Sequence, residues 1–171
     1  MKVSHNKIVD KLLQPISDVP LQAYLDNRLQ LFDVLEFVLR FTGPARLKVS
    51  TFSTSEEFLR RLFSLKKRKL IVHAELLADL KAAKKTLNLA SFMSHVFDRV
   101  YLSENHSKVL LISNDSWMVT VVTSQNQTRG NRTECGMIST DPSLYLKIEH
   151  EFTSICNTRS IYIDGLYTTT D

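Results

Sequence analysis

The sequence predicts a three-layer αβα sandwich with a mixed β-sheet, and three observations carry that expectation. Helix-like and strand-like patterns alternate through the first hundred residues, as they do where helices cover parallel strands. A run of strand-like segments follows, which makes the sheet mixed. The chain of 171 residues, 43% hydrophobic with 4 Gly and 4 Pro, is long enough for one sizeable core and too apolar for disorder. It reads as one domain over 1–171, with a helical segment at 1–43, a core at 46–156 and a tail at 157–171.

Leu21, Leu25, Leu29, Phe32, Leu35, Val38 and Leu39 recur at spacings of three and four, which predicts an amphipathic helix over 21–41 that Gly43-Pro44 stops. Arg46 to Phe52 alternates as a strand. Thr54 or Ser55 then caps a helix that begins with Glu56 and Glu57 and buries Phe58, Leu59, Leu62 and Phe63. Lys69 to Leu77 is the next strand, Ala78 to Lys85 a polar helical or loop segment, Ala90 to Phe97 a helix and Asp98 to Leu102 a short strand. Two apolar runs, 107–112 and 117–123, flank the polar turn Ser113-Asn114-Asp115-Ser116 and form a hairpin. A loop over 127–133, a strand over 134–139 and a helix capped by Asp141-Pro142 complete the order, with an edge strand or a free tail after Arg159. Tyr24, Phe52 and Trp117 read as core.

Composition excludes several classes. No apolar run approaches the roughly 20 residues needed to cross a bilayer, and the first residues lack the hydrophobic stretch of a signal peptide. A cytoplasmic protein with no membrane association is expected. Cys135 and Cys156 lack a paired or metal-like spacing and read as reduced, so the Asn-x-Ser/Thr sites at Asn105, Asn114, Asn126 and Asn131 are chance matches. The net charge of +4 is uneven, because nine bases between Arg60 and Lys85 face only Glu75 and Asp79. Lys66, Lys67, Arg68 and Lys69 form its densest block and, with the loop residues Arg129 and Arg132, make a candidate footprint for DNA or RNA.

The chemistry gathers in the hairpin. His106 and Lys108 open its first strand, and Ser124 and Asn126 follow its second. Strand alternation puts His106 with Lys108, and Ser124 with Asn126, on common faces. A nucleophile or base, a permanent cation, a hydroxyl and a carboxamide make a cradle for a phosphate without any metal.

His106-Ser107-Lys108, a strand, a turn, a second strand, Ser124-Gln125-Asn126 and the downstream Arg132 and Glu134 together resemble the phospholipase D superfamily, whose signature runs His-x-Lys-x4-Asp and then Gly-Ser-x-Asn. The likeness spans about residues 46–140 and is motif-level over 106–134. It implies that His106 attacks phosphorus to form a phosphohistidine, that Lys108 and Asn126 hold the non-bridging oxygens with Ser124 adding a hydrogen bond, and that Glu134 orients the His106 ring. It implies no cofactor. A second histidine must protonate the leaving oxygen, and His5, His73, His95 and His150 lack the motif, so a homodimer with its two His106 residues facing each other is expected.

The sequence departs from the signature at Ser113, where the family has Asp, and at Thr123, where it has Gly, and the hairpin is about three residues longer. The activity implied is a metal-independent phosphodiesterase, a nuclease for DNA or RNA. Two alternatives come with the departures: a nucleic-acid-binding module with impaired turnover, or a subunit of a DNA-processing assembly.

Overall fold

In a computed structural model, which describes residues 5–84, 88–127 and 132–163, the chain folds around one eight-stranded mixed sheet. Its strands are β1 (Leu21–Asp26), β2 (Ala45–Thr51), β3 (Ile71–Asp79), β4 (Arg99–Ser103), β5 (Val109–Ser113), β6 (Met118–Thr123), β7 (Glu134–Ser139) and β8 (Ile161–Tyr162). They lie side by side in the order β1-β7-β6-β5-β2-β3-β4-β8. β2, β3 and β4 run parallel, and the other pairings are antiparallel.

The helices α1 (His5–Leu12), α2 (Leu31–Thr42), α3 (Glu56–Lys67) and the short α4 (Ala90–Met93) belong to one layer, and α5 (Pro142–Thr158) forms the other. The main core lies beneath α2 and α3, where Leu35, Leu59 and Leu62 meet Leu47, Val49, Leu76 and Leu110. A smaller core under α5 joins Tyr145, Phe152 and Cys156 to Leu77 and Leu111. Adjacent residues such as Leu110 and Leu111 therefore serve opposite layers, as period-two alternation requires.

The helix expected over 21–41 is two elements. Only Leu29 to Leu39 contributes apolar residues to α2 and the approach to it, while Leu21 and Leu25 sit on β1 and are 61% and 73% exposed. Positions 21 and 25 differ by an even number, so they share a strand face as readily as a helix face. The helix expected over 90–97 is only the single turn Ala90–Met93, although Val96 and Phe97 are buried. Of the three aromatic residues expected in the core, Tyr24 is buried, but Phe52 and Trp117 are only partly covered.

Local chemistry explains the boundaries around the site. Ser55 adopts an extended conformation and its hydroxyl accepts from the Phe58 amide at 3.3 Å, which starts α3 at the exit of β2. Asp141 does the same for α5, accepting from the Ser143 amide at 2.9 Å, with Pro142 at the first helical position. In the hairpin turn the Asn114 side chain accepts from the amides of Ser116 and Trp117, at 2.9 and 3.0 Å, and closes it.

Candidate active site at the exit of the second strand

Because β5 is antiparallel to β2, residues before β5 lie beside the end of β2, and Ser50 pairs with Val109. The loop that carries His106 therefore crosses the exit of β2. Asn105 anchors it. This side chain is buried, and its amide donates to Ser50 Oγ, the Thr51 carbonyl and the Leu77 carbonyl at 2.9, 3.2 and 3.1 Å. Its Oδ1 accepts from the amide and hydroxyl of Ser107 at 3.1 and 2.7 Å, and its backbone N–H donates to buried Asp79 at 2.7 Å. Both neighbours of His106 are thereby fixed to the sheet.

His106 itself is exposed, its ring packed edge-on against Phe52 with 5.4 Å between centroids. Phe52 is partly exposed because it supports this ring instead of the core. Lys108 folds back so that Nζ donates to the His106 carbonyl at 2.9 Å, and its own carbonyl accepts from the Thr123 amide at 3.0 Å. The hairpin ladder therefore runs one pair beyond the start of β5, joining Lys108 to Thr123, the last residue of β6. His106 is placed by Asn105 and Phe52 rather than by strand alternation.

Ser124 and Glu134 meet directly, the hydroxyl donating to the Glu134 carboxylate. Ser124 Oγ also accepts from the Cys135 amide at 3.0 Å. The next residues strap this segment to the β2 exit, with Thr54 bridging to Gln127 and Ser55 Oγ donating to the Gln127 carbonyl at 2.7 Å. Asn126 lies between these anchors, and its Oδ1 is buried with no hydrogen-bond partner. The segment 50–55 thus holds both halves of the motif: Asn105, His106 and Ser107 on one side, Asn126 and Gln127 on the other.

The two departures from the signature also have places. Thr123 turns its side chain into the sheet layer below α2, where Oγ1 donates to the Cys135 carbonyl at 2.9 Å and lies 3.2 Å from the Tyr24 hydroxyl. It faces away from Ser124. Burial pushes the Tyr24 phenol up to about 12. The same ring fixes Gly136, since a Cβ there would lie 2.4 Å from the Tyr24 ring. Ser113 accepts a hydrogen bond from the Tyr145 hydroxyl at 2.9 Å, on the α5 side and at the far end of β5 from His106.

The basic residues divide. Lys66 is committed to Asp98 at 2.8 Å and to the Val96 carbonyl at 3.1 Å, while Lys67 lies over the Phe63 ring. Arg68 and Lys69 are exposed, and Lys69 has a positive φ of 59°. This block spans the last turn of α3 and the turn that leads to β3, whereas His106 is at the exit of β2. The length of α3, about 18 Å at 1.5 Å per residue, separates them. Arg132 is exposed two residues before Glu134, and Arg129 lies outside the described residues.

Sequence reasoning missed Asn105, Tyr24 as a site residue, Gln125 and Gln127. Gln125 is buried, donating to the Leu29 carbonyl at 2.6 Å and accepting from the Tyr24 hydroxyl at 3.0 Å. A carboxamide directly before the His-x-Lys triplet was the available signal for Asn105.

The fold recurs in solved structures. Nuc from Salmonella typhimurium, a phospholipase D family member, superposes with a TM-score of 0.64 over 84% of this chain and 97% of its own, at 15% identity. NucT from Helicobacter pylori gives 0.61 over 84% and 99%, also at 15% identity. The chain has the phospholipase D fold. The phosphatidylserine synthase of Haemophilus influenzae shares this fold at a TM-score of 0.61 and 14% identity, with 84% of this chain matching 40% of the enzyme. The archaeal chromatin protein TrmBL2, whose structure shows a novel mode of DNA binding, matches at 0.55 over 90% of this chain and 61% of its own, at 8% identity. No protein-family model and no curated protein matches the sequence. Among the described residues no helix is long and apolar enough to cross a membrane.

Proposed function

We propose that the protein is a metal-independent phosphodiesterase acting on DNA or RNA through a phosphohistidine in a homodimeric site. What supports this reading is that the loop carrying His106 and the segment carrying Asn126 and Gln127 are both tied to residues 50–55 at the β2 exit, with Ser124 bonded to Glu134, in a phospholipase D fold. Exposed His106 is reachable by a phosphate, and its backbone is held on both sides by Asn105.

In this reading an imidazole nitrogen of His106 attacks phosphorus, and the bond to the leaving oxygen breaks as that oxygen takes a proton from the partner's His106. Lys108 and Asn126 stabilise the charge on the non-bridging oxygens. Water then attacks the phosphohistidine, its proton passes to the partner's His106, and the imidazole of His106 is released. Glu134 acts through Ser124, to which it is bonded.

A specific surface fits the second copy. On one face of the sheet the paired positions form the rows Leu21–Ser139–Thr120, Ala23–Met137–Val122 and Leu25–Cys135–Ser124. Leu21, Leu25, Met137 and Val122 are all exposed there. The third row runs from this apolar face straight into Ser124. Contiguous exposed apolar side chains mark interaction sites more often than chance, and a partner seated here would sit beside the phosphate site.

The test is release of acid-soluble nucleotides from single- and double-stranded DNA and RNA in EDTA, with His106→Ala as the control. Cleavage by the wild type alone is expected, and no cleavage of any of the four substrates would sink the reading. A binding module without turnover is the second reading, favoured by Lys108 and Ser124 already having protein partners. It predicts gel-shift binding that falls steeply with salt and no product.

A further inference from the structure

The fold sorts the nine bases between Arg60 and Lys85 into occupied and free groups. Arg60, Arg61 and Lys66 are bonded to Glu56, Asp33 and Asp98, and Lys67 lies over the Phe63 ring. Arg68 and Lys69 are exposed at the far end of α3 from His106, and Lys85 lies outside the described residues. Lys81 and Lys84 remain. Both are exposed, and among the described residues no hydrogen bond or ion pair holds either ammonium group.

Their position follows from the parallel pairing of β2 with β3. Thr51 pairs with Ala78, so the two strands end side by side, and a single 3₁₀ turn, Leu80–Ala82, leaves β3 next to the β2 exit. Buried Asp79 ties that turn to the candidate site: one carboxylate oxygen accepts from the Lys81 amide at 2.6 Å and the other from the Asn105 amide at 2.7 Å. The Asp79 amide donates to the Phe52 carbonyl at 3.3 Å. Lys81 is therefore linked at backbone level to the residue before His106 and to the residue whose ring packs on His106. Within the turn Ala82 is buried, while Lys81 and Lys84, three residues apart, share the outward side. Glu104, the only acid among residues 104–108, is exposed and makes no ion pair with Lys81.

A nucleic-acid strand carries one negative charge per nucleotide, so a site that holds one phosphate has the next charge one nucleotide away. An unpartnered ammonium on a flexible stem, rooted in a backbone fixed beside the nucleophile, suits that second charge. We propose that Lys81 holds the phosphate one nucleotide away from the one at His106, so that the preferred ligand is a strand with at least two phosphates rather than an isolated phosphodiester. The proposal rests on the phosphodiester reading of the adjoining site. It moves the near contact from the block at 66–69, a helix length away, to a residue that shares a carboxylate with Asn105. Lys81 is a binding residue here, since it touches the neighbouring phosphate and not the reacting atoms.

The experiment crosses a change in the protein with a change in the ligand. Two thymidine trinucleotides, each with one neutral methylphosphonate linkage placed 5′ or 3′ of the remaining phosphate, are compared with the all-phosphate trinucleotide. Equilibrium binding and cleavage are measured for the wild type, Lys81→Gln and Lys81→Arg. In the wild type, neutralising the linkage on one of the two sides weakens binding about 3- to 10-fold, as one charge-assisted contact is lost, and kcat/KM falls by a further factor of about two for the missing cleavable bond. In Lys81→Gln the same neutralisation weakens binding by under about 2-fold, because the contact is already absent, whereas Lys81→Arg keeps the full cost. The Lys81→Gln thermal midpoint stays within a few degrees, since only an exposed side chain changes. An equal cost in the wild type and Lys81→Gln overturns the proposal. So does no cost on either side in the wild type, as expected if the two lysines face an acidic protein instead of a strand. Failure of the phosphodiester reading looks different: no trinucleotide is cut by any of the three proteins, and the binding cycle alone then decides the role of Lys81.

Discussion

Asn105, which is not part of the His-x-Lys signature, makes the hydrogen bonds that place His106. All of its side-chain polar atoms are used, against β2, β3 and Ser107. Asn105→Ala strands several of these partners and is expected to cost about 2–3 kcal/mol in urea unfolding, with activity falling further than stability because the His106 loop is released. A loss under about 0.5 kcal/mol would show that the network is dispensable. Tyr24 gives a second residue-scale outcome. Its phenol is raised from 10.0 to about 12 in the fold, so the neutral form is favoured by folding. That contribution is complete below pH 10, the unfolded value, and is lost as pH rises from there through about 12. Over this window the wild type should lose up to about 3 kcal/mol more stability than Tyr24→Phe, which has no proton to lose. Parallel alkaline unfolding curves for the two proteins would refute it. The His-x-Lys and Ser-x-Asn spacings were legible as a pattern because both lie in short stretches of sequence. Asn105, Gln125 and Gln127 were not, because their partners lie on β2, β3, residues 54–55 and the approach to α2, far away in sequence.

At the scale of elements, legibility followed the strength of local signals. α3 was readable from both ends, since Ser55, Glu56 and Glu57 mark its start and Lys66 and Lys67 its last turn, each complementing the helix dipole. β7 and α5 were readable for similar reasons, a bounded apolar run and an Asp-Pro cap. β1 was not, because the apolar face that defines it is exposed and its spacing continues into α2 without a break in period. The position of the basic block was equally hidden, since a sequence does not say which end of a helix faces the site. Lys66 is tied to Asp98, so its neutralisation perturbs the link between α3 and the entrance of β4. Lys67, Arg68 and Lys69 are the residues to change together for a test of binding. Beyond about five base pairs, at 3.4 Å each, a bound strand can reach from His106 to this block. The triple substitution to Gln should weaken binding of a 20-mer and lower its salt slope by up to about 3, while cleavage of a 4-mer is unchanged. Equal loss on both lengths would mean that the block acts on the site or the fold instead.

At the scale of the whole molecule, the row that ends at Ser124 links the candidate site to the exposed apolar face of the sheet. Its fold supplies one His-x-Lys motif, whereas in-line displacement at phosphorus needs a nucleophile on one side and an acid on the other. A lone chain leaves Leu21 and Leu25 in water on an edge strand, which is a hazard for pairing and aggregation unless something covers them. The proposed second copy on this face would answer both needs. Leu25→Glu places a charge in the row that ends at Ser124, and since Leu25 is 73% exposed the substitution should leave the thermal midpoint within a few degrees. Sedimentation should show the wild type as a dimer and the variant as a monomer, with activity lost in proportion to dimer lost. Subunit mixing separates a shared site from two independent ones. If each centre uses two His106 residues, a mixed dimer of wild type and His106→Ala lacks its acid or its nucleophile. A threefold excess of the variant then leaves about one quarter of wild-type chains paired with each other, by random pairing, and activity falls to that fraction after exchange. Independent sites would keep full activity at every mixing ratio, and that outcome would end the case for a site shared across the twofold axis.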